Sequence, residues 1–283
     1  MTTFLRSVAA EFAKILTTRM WWILALVLFG YIGMLAGGLG ALFAGIESGA
    51  IDPTAAGAGG PGGQAGQPFD SIPPLIYSFA SSVGYVFPVL LGALATTGEF
   101  RHQTLTPTFL ATPRRAGVLG AKSLTLFVVG AVFGAVALLA SVGFGALVIN
   151  AFGVDPLLGE SETWTLVGRT ILAMGLWAIV GVGLGALVPS QVASIVIVLA
   201  FTQFVEPLLR LASSFLDWTA EIAQYLPGAA SDALVGASIF TGMGQSASAA
   251  VTLEWWQGGL VLLAYAVAAA VGGYFATWKR DVT

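Results

Sequence analysis

Apolar residues run along this chain in long blocks, and the charges gather in short islands between them. Met20 to Ile46, Ser71 to Gly98, Ser123 to Val154 and Thr170 to Val205 contain no Asp, Glu, Lys or Arg. Uncharged apolar runs of about 18 residues or more mark helices that cross a membrane. The run from Thr170 to Val205 has 36 residues; as one helix it would be roughly 54 Å long, against a hydrocarbon core of about 30 Å. It has to break, and Pro189-Ser190-Gln191 is the obvious place. The pattern predicts six spans, at about 21–45, 74–97, 124–149, 170–188, 192–212 and 258–278. Pro88 predicts a kink in the second. Gly33 and Gly37 in the first and Gly130 and Gly134 in the third are small-residue pairs that let helices approach closely.

The segments outside the spans have their own patterns. In residues 1–19, Phe4, Leu5, Val8, Phe12, Ile15 and Leu16 fall on one helical face, and Arg6, Ser7, Glu11, Lys14 and Thr18 on the other. This predicts an amphipathic helix lying in the headgroup layer. A signal peptide is excluded because the apolar run that follows far exceeds an h-region of about 7–15 residues. Glu47 to Asp70 is rich in Gly, Ala, Pro and Gln and reads as a flexible linker. Phe215 to Leu253 reads as short helices half-sunk at the outer interface, ahead of a last span led in by Trp255-Trp256 and closed by Lys279-Arg280.

Composition fixes the class. The 283 residues are 57% hydrophobic and 9% charged, with mean hydropathy +0.89, whereas soluble domains carry about 25% charged residues. The expected fold is an all-α integral membrane protein. Nine of the 11 basic residues fall on one side of the six-span layout: Arg6, Lys14, Arg19, Arg101, Arg114, Arg115, Lys122, Lys279 and Arg280. The positive-inside rule makes that side cytoplasmic, with both termini there and the chain in the plasma membrane. A five-span layout would export Lys279 and Arg280 and break the rule.

Most catalytic chemistry is excluded by inventory. There is no cysteine, so neither disulfides, thiolate catalysis nor zinc–thiolate sites can form. The single histidine, His102, cannot supply the paired histidines of a metalloprotease helix. The spans contain no aspartate pair. The Gly-rich linker has no Lys-Ser/Thr after it, and in GVLGAKS Ala121 stands where a phosphate-binding loop needs Gly before Lys122. No catalytic residue, metal site, own cofactor or nucleic-acid partner is expected. The ionisable groups inside the spans are Glu206 and Arg210, four apart with the acid first, read as a helical ion pair near the outer surface.

One island carries more information. Gly98 to Ser123 holds Glu99, Arg101, Arg114, Arg115, Lys122 and His102 between two uncharged runs. Thr106-Pro107 and Thr112-Pro113 bracket a short segment that predicts one or two short helices lying across the membrane face, basic residues outward. Glu99, Arg101, Thr104, Leu105, Leu110, Pro113, Arg114 and Lys122 together resemble the first cytoplasmic loop of ABC-2 type transporter permeases, which often have Gly at the position of Gln103. The resemblance extends over the whole chain in layout and over this loop in residue detail. It implies a coupling helix in loop 98–123 that docks on a separate ATP-binding cassette subunit. Glu99, Arg101, Thr104, Pro113, Arg114, Arg115 and Lys122 would serve that joint. It also implies a re-entrant helical pair in 215–253, a second permease copy or related permease, and ATP and Mg on the partner. The expected function is export of a drug-like, lipid-like or other amphipathic substrate. A non-transporting membrane scaffold or immunity component, and a small secondary transporter, are the alternatives.

Overall fold

The computed structural model describes residues 3–52, 72–212, 217–238 and 253–279. Most of the Gly-rich linker, residues 239–252 of the segment before the last span, and Asp70, Arg280 and Asp281 lie outside them. Helix α1 is Thr3–Leu16 and α2 is Met20–Glu47. Helices α3 (Ile72–Tyr77), α4 (Phe79–Ser82) and α5 (Val86–Arg101) follow one another as one broken span. A short α6 (Leu105–Ala111) leads to α7 (Arg115–Ala151) and α8 (Ser161–Leu187). Next come α9 (Gln191–Ala200), a π-helical turn (Phe201–Val205) and α10 (Glu206–Ala212). Two short helices, α11 (Asp217–Ala223) and α12 (Pro227–Val235), precede α13 (Trp255–Gly273), which ends in a π-helical turn (Tyr274–Trp278). Among the described residues there is no strand. Six helical segments are long and apolar enough to cross a membrane. The chain is an all-α, multi-pass integral membrane protein.

The boundaries differ from the expected ones where a charged stretch continues a helix. α7 starts at Arg115, nine residues before the expected start of span three, and α8 starts at Ser161 rather than Thr170. Charge marks where a chain can meet water, but only Pro and Gly interrupt the backbone hydrogen-bond ladder. Pro113 therefore sets the start of α7. Pro88 sits in the first turn of α5, where a missing N–H costs nothing, and the bend expected from it falls one turn upstream, where it cannot bond the Gly84 carbonyl. The break in span two lies earlier, at Ser78 and over Val83–Tyr85. The expected break at Pro189 is present, and Ser190 Oγ caps α9 through the Ala193 amide at 3.4 Å. Pro207 cannot donate to the preceding turn, and the helix widens over Phe201–Val205 just before it.

α8 is the hub, packed against α5, α7, α12 and α13. Its glycines explain how. A Cβ on Gly181 would lie 2.1 Å from the Val89 carbonyl of α5, and one on Gly183 would lie 2.5 Å from Ala269 Cβ of α13. On the third side, a Cβ on Gly130 of α7 would lie 2.7 Å from Ala178 Cβ. Close backbone approach on three faces replaces the hydrophobic driving force that lipid does not provide. In α2, Gly33 leaves room for the Phe144 ring, which a Cβ would meet at 2.8 Å.

α12 enters the bundle from the end opposite α1. Pro227, Gly228, Ala230, Ser231, Asp232, Leu234 and Val235 are buried, and Gly236, at φ +85°, ends the helix in the left-handed conformation glycine tolerates. The Trp177 indole donates to Ser231 Oγ at 3.1 Å, which fixes α12 to α8.

Candidate functional site

Two charged assemblies stand out, one at each end of the bundle. At the basic end, α1, the end of α5 and the start of α7 meet around four charges. Lys14 Nζ lies 2.5 Å from Glu11 Oε1 and 2.7 Å from Glu99 Oε1. Lys122 Nζ lies 2.5 Å from Glu11 Oε2 and 3.2 Å from Glu99 Oε1. Glu11, Glu99 and Lys122 are buried, and Lys14 is half-buried. Two acids and two bases make the group neutral, which is what allows it inside.

This corrects the sequence reading in three places. Glu99 is buried in the α1 junction and not presented to a partner. The same holds for Lys122, which is 2% exposed and points at α1. Glu11 was expected on the water-facing side of α1, yet it faces inward, while Phe4, Leu5 and Leu16 form the open apolar stripe. Arg101, Thr104, Pro113 and Arg114 are exposed as expected, and Arg115 is half-buried.

The tetrad has a definite pH range. Burial pushes the Glu11 carboxyl up, but the Lys122 and Lys14 ammoniums overcome it and hold it below the usual value. Burial pushes Lys14 down, and Glu99 and Glu11 overcome that and hold it above the usual value. A lowered acid contributes stability above its unfolded value and loses it as pH falls through the folded one. A raised base contributes below its unfolded value and loses it as pH rises through the folded one. Attachment of α1 should therefore be constant from about pH 5 to about pH 10. Hydrogen exchange of the α1 amides, corrected for intrinsic rates, checks this; a change in protection near pH 7 contradicts it.

At the same end, α6 is held through Phe109. Phe109 meets the Trp278 ring edge-on at 5.7 Å, Phe100 does so at 5.9 Å, and the Arg115 guanidinium lies 5.0 Å over Phe109. Trp278 is fully buried and donates its indole N–H to the Arg115 carbonyl at 3.1 Å. Arg115 Nη1 in turn donates to the Lys279 carbonyl at 2.8 Å. Arg101 Nη1 donates to Gln191 Oε1 at 2.7 Å, at the first residue of α9. Thus α6 touches the ends of the third and last spans through Phe109, and Arg101 beside it holds the fifth. Leu110 points away from all of them and is 80% exposed. Gln103 has φ +54°, a left-handed backbone that glycine adopts more readily.

At the other end, Arg210 bridges two acids. Its Nη2 lies 2.8 Å from Glu206 Oε1 and its Nη1 lies 2.6 Å from Asp232 Oδ2. Ser82 Oγ donates to Asp232 Oδ1 at 2.9 Å, and Ser238 Oγ donates to Oδ2 at 2.7 Å. The expected Glu206–Arg210 pair is present, and α12 and α4 enlarge it. Sequence reasoning missed Asp232 because it lies on a separate short helix. Gly228 makes room for the cluster: a Cβ there would lie 2.2 Å from Glu206 Oε1. The cluster borders a cavity of about 100 Å³ lined by Tyr85, Thr202, Gln203, Glu206 and Asp232 among others. Among the described residues, no group of three His, Cys, Asp or Glu could hold a metal ion.

Compared with known proteins, the sequence matches no family model, and no curated protein matches it either.

Proposed function

We propose that the chain is the membrane-spanning subunit of an ATP-driven exporter of the ABC-2 type, with the basic end in the cytosol. The observation that carries this reading is α6. It is a seven-residue helix pinned to Trp278 through Phe109, with Leu110 80% exposed at its tip and Arg101 and Arg114 exposed beside it. An apolar tip ringed by arginines is the form of a protein–protein joint, since Arg grips carboxylates in two places and an exposed apolar anchor gains by burial. A push on a helix fixed to the ends of two spans moves those spans together. The chain has no nucleotide-binding motif, so ATP and Mg belong to the partner subunits. The exposed apolar faces of α2, α9 and α13 are where lipid and a second permease copy pack. The amphipathic class of cargo rests on the apolar spans and the scarcity of charge within them, and the outward direction on the resemblance of the loop.

The test replaces Leu110 with Glu and Arg114 with Ala, leaving the tetrad intact. The expected result is normal insertion with loss of the co-purifying ATPase and at least a tenfold fall in cargo-stimulated ATP hydrolysis. Undiminished ATPase capture would overturn the docking role of α6. A second reading, a small ion-driven transporter, draws on the buried carboxylate of Glu206. It predicts transport by the purified chain alone under an ion gradient, without any ATPase.

A further inference from the structure

Glu206 is bonded on one oxygen only. Its Oε1 accepts from Arg210 Nε at 3.2 Å, Arg210 Nη2 at 2.8 Å and the Ala229 amide at 3.1 Å. Its Oε2 is buried and has no hydrogen-bond partner. The residue is 2% exposed and lines the cavity of about 100 Å³ beside Tyr85, Thr202 and Gln203. A charged oxygen buried without a donor is unfavourable, and here there is space for a donor to enter.

This stretch of the chain supplies no second cation. Between Arg169 and Lys279, Arg210 is the only basic residue, while Glu206, Asp217, Glu221, Asp232 and Glu254 are all acids. Arg210 already spans both carboxylates of the cluster. Arg169 lies over the Trp255 ring, its guanidinium 4.7 Å from the centroid. Ca²⁺ or Mg²⁺ is a poor fit, because these ions take six or more oxygen ligands and the lining offers a single open carboxylate oxygen, Glu206 Oε2, with the side-chain oxygens of Thr202 and Gln203. An ammonium suits the lining better. It brings three N–H donors and a full charge, and the lining offers Glu206 Oε2, the side-chain oxygens of Thr202 and Gln203, and the aromatic wall of Tyr85, stacked on Trp177 at 4.4 Å. Gln203 at the rim is exposed, so a group attached to the ammonium can extend outward from the cavity.

We propose that this cavity binds a primary ammonium group carried on an alkyl chain, with Glu206 Oε2 as its counter-ion. The group can arrive on an aminophospholipid headgroup or on a soluble alkylamine. The site stands apart from the transport reading, since it needs only the chain itself.

The purified chain in phosphatidylcholine nanodiscs would be titrated calorimetrically with octylammonium and with octanol. The expected result is saturable binding of octylammonium, one per chain and at least tenfold tighter than octanol, with Glu206→Gln reduced to the octanol level. Repeating the titration in discs containing phosphatidylethanolamine separates the sources. A tenfold weaker octylammonium affinity there identifies the lipid headgroup as occupant; an unchanged affinity identifies the soluble amine. Equal binding of octylammonium and octanol by the unaltered chain overturns the proposal, as does undiminished binding by Glu206→Gln. The comparison on the unaltered chain decides the question even if the variant fails to fold.

Discussion

Arg210→Gln should nearly abolish accumulation of folded protein, whereas Glu206→Gln should accumulate normally. The two substitutions remove opposite ends of one ion pair, yet their consequences differ because the cluster is unbalanced. Without Arg210, Glu206 and Asp232 remain as two carboxylates inside a helix bundle, with Glu206 stripped of two of its three donors. Uncompensated buried charge of this kind costs about 3–5 kcal/mol, a large part of a typical total stability of about 5–15 kcal/mol. Without the Glu206 charge, Arg210 still has Asp232 at 2.6 Å, and the neutral amide at 206 keeps an oxygen for the Ala229 amide. Detergent-resistant yield and melting temperature of the two variants measure the asymmetry. A triple variant, Glu206→Gln, Arg210→Gln and Asp232→Asn, should recover most of the loss. Equal damage from the two single substitutions would mean that the cluster is not organised around a shared guanidinium.

Lys122→Gln should release α1 from the bundle. The change leaves Glu11 and Glu99 sharing Lys14, which is half in water, so one buried negative charge loses its partner. The expected cost is again about 3–5 kcal/mol, read as rapid proteolysis within residues 3–16 while the six spans stay protected. Pairing the change with Glu11→Gln restores neutrality and should restore protection. This separates two roles for Lys122. A lysine that served an ATPase joint would lose partner binding with α1 still docked. A lysine that closes the tetrad loses α1 first.

These residues also show where sequence reading stops. The six spans were legible because four long uncharged runs and the apolar stretch ahead of Lys279 mark them, the longest run dividing at Pro189. Glu206 and Arg210 were legible because an i, i+4 pair is local. Asp232 was not, since it joins from another helix 22 residues away. The tetrad was hidden for the same reason on a larger scale, with partners 85 and 111 residues apart. One signal was present. Lys122 shares a helical face with Val118, Leu119, Thr125 and Leu126, all buried, so a charge stood within an apolar stripe. Treating every charge as a mark of water exposure concealed it. The same habit placed the start of α7 too late. In the loop 98–123, the exposed residues Arg101, Thr104, Pro113 and Arg114 were placed correctly because that segment is short and Pro-bounded, with few ways to bury itself.

The wide spacing of the tetrad imposes an order on synthesis. Glu11 leaves the ribosome 111 residues ahead of Lys122, which at about 5–20 residues per second is a delay of roughly 6–22 s. During that interval α1 has an acid and a lysine but no bundle to receive them. Its open stripe of Phe4, Leu5 and Leu16, with Arg6 close by, gives it a place to wait on the bilayer surface. Only when the third span has entered does the nascent chain acquire the charge that draws α1 into its final position. The first half of the protein is thus sealed from its own N-terminal side, and late.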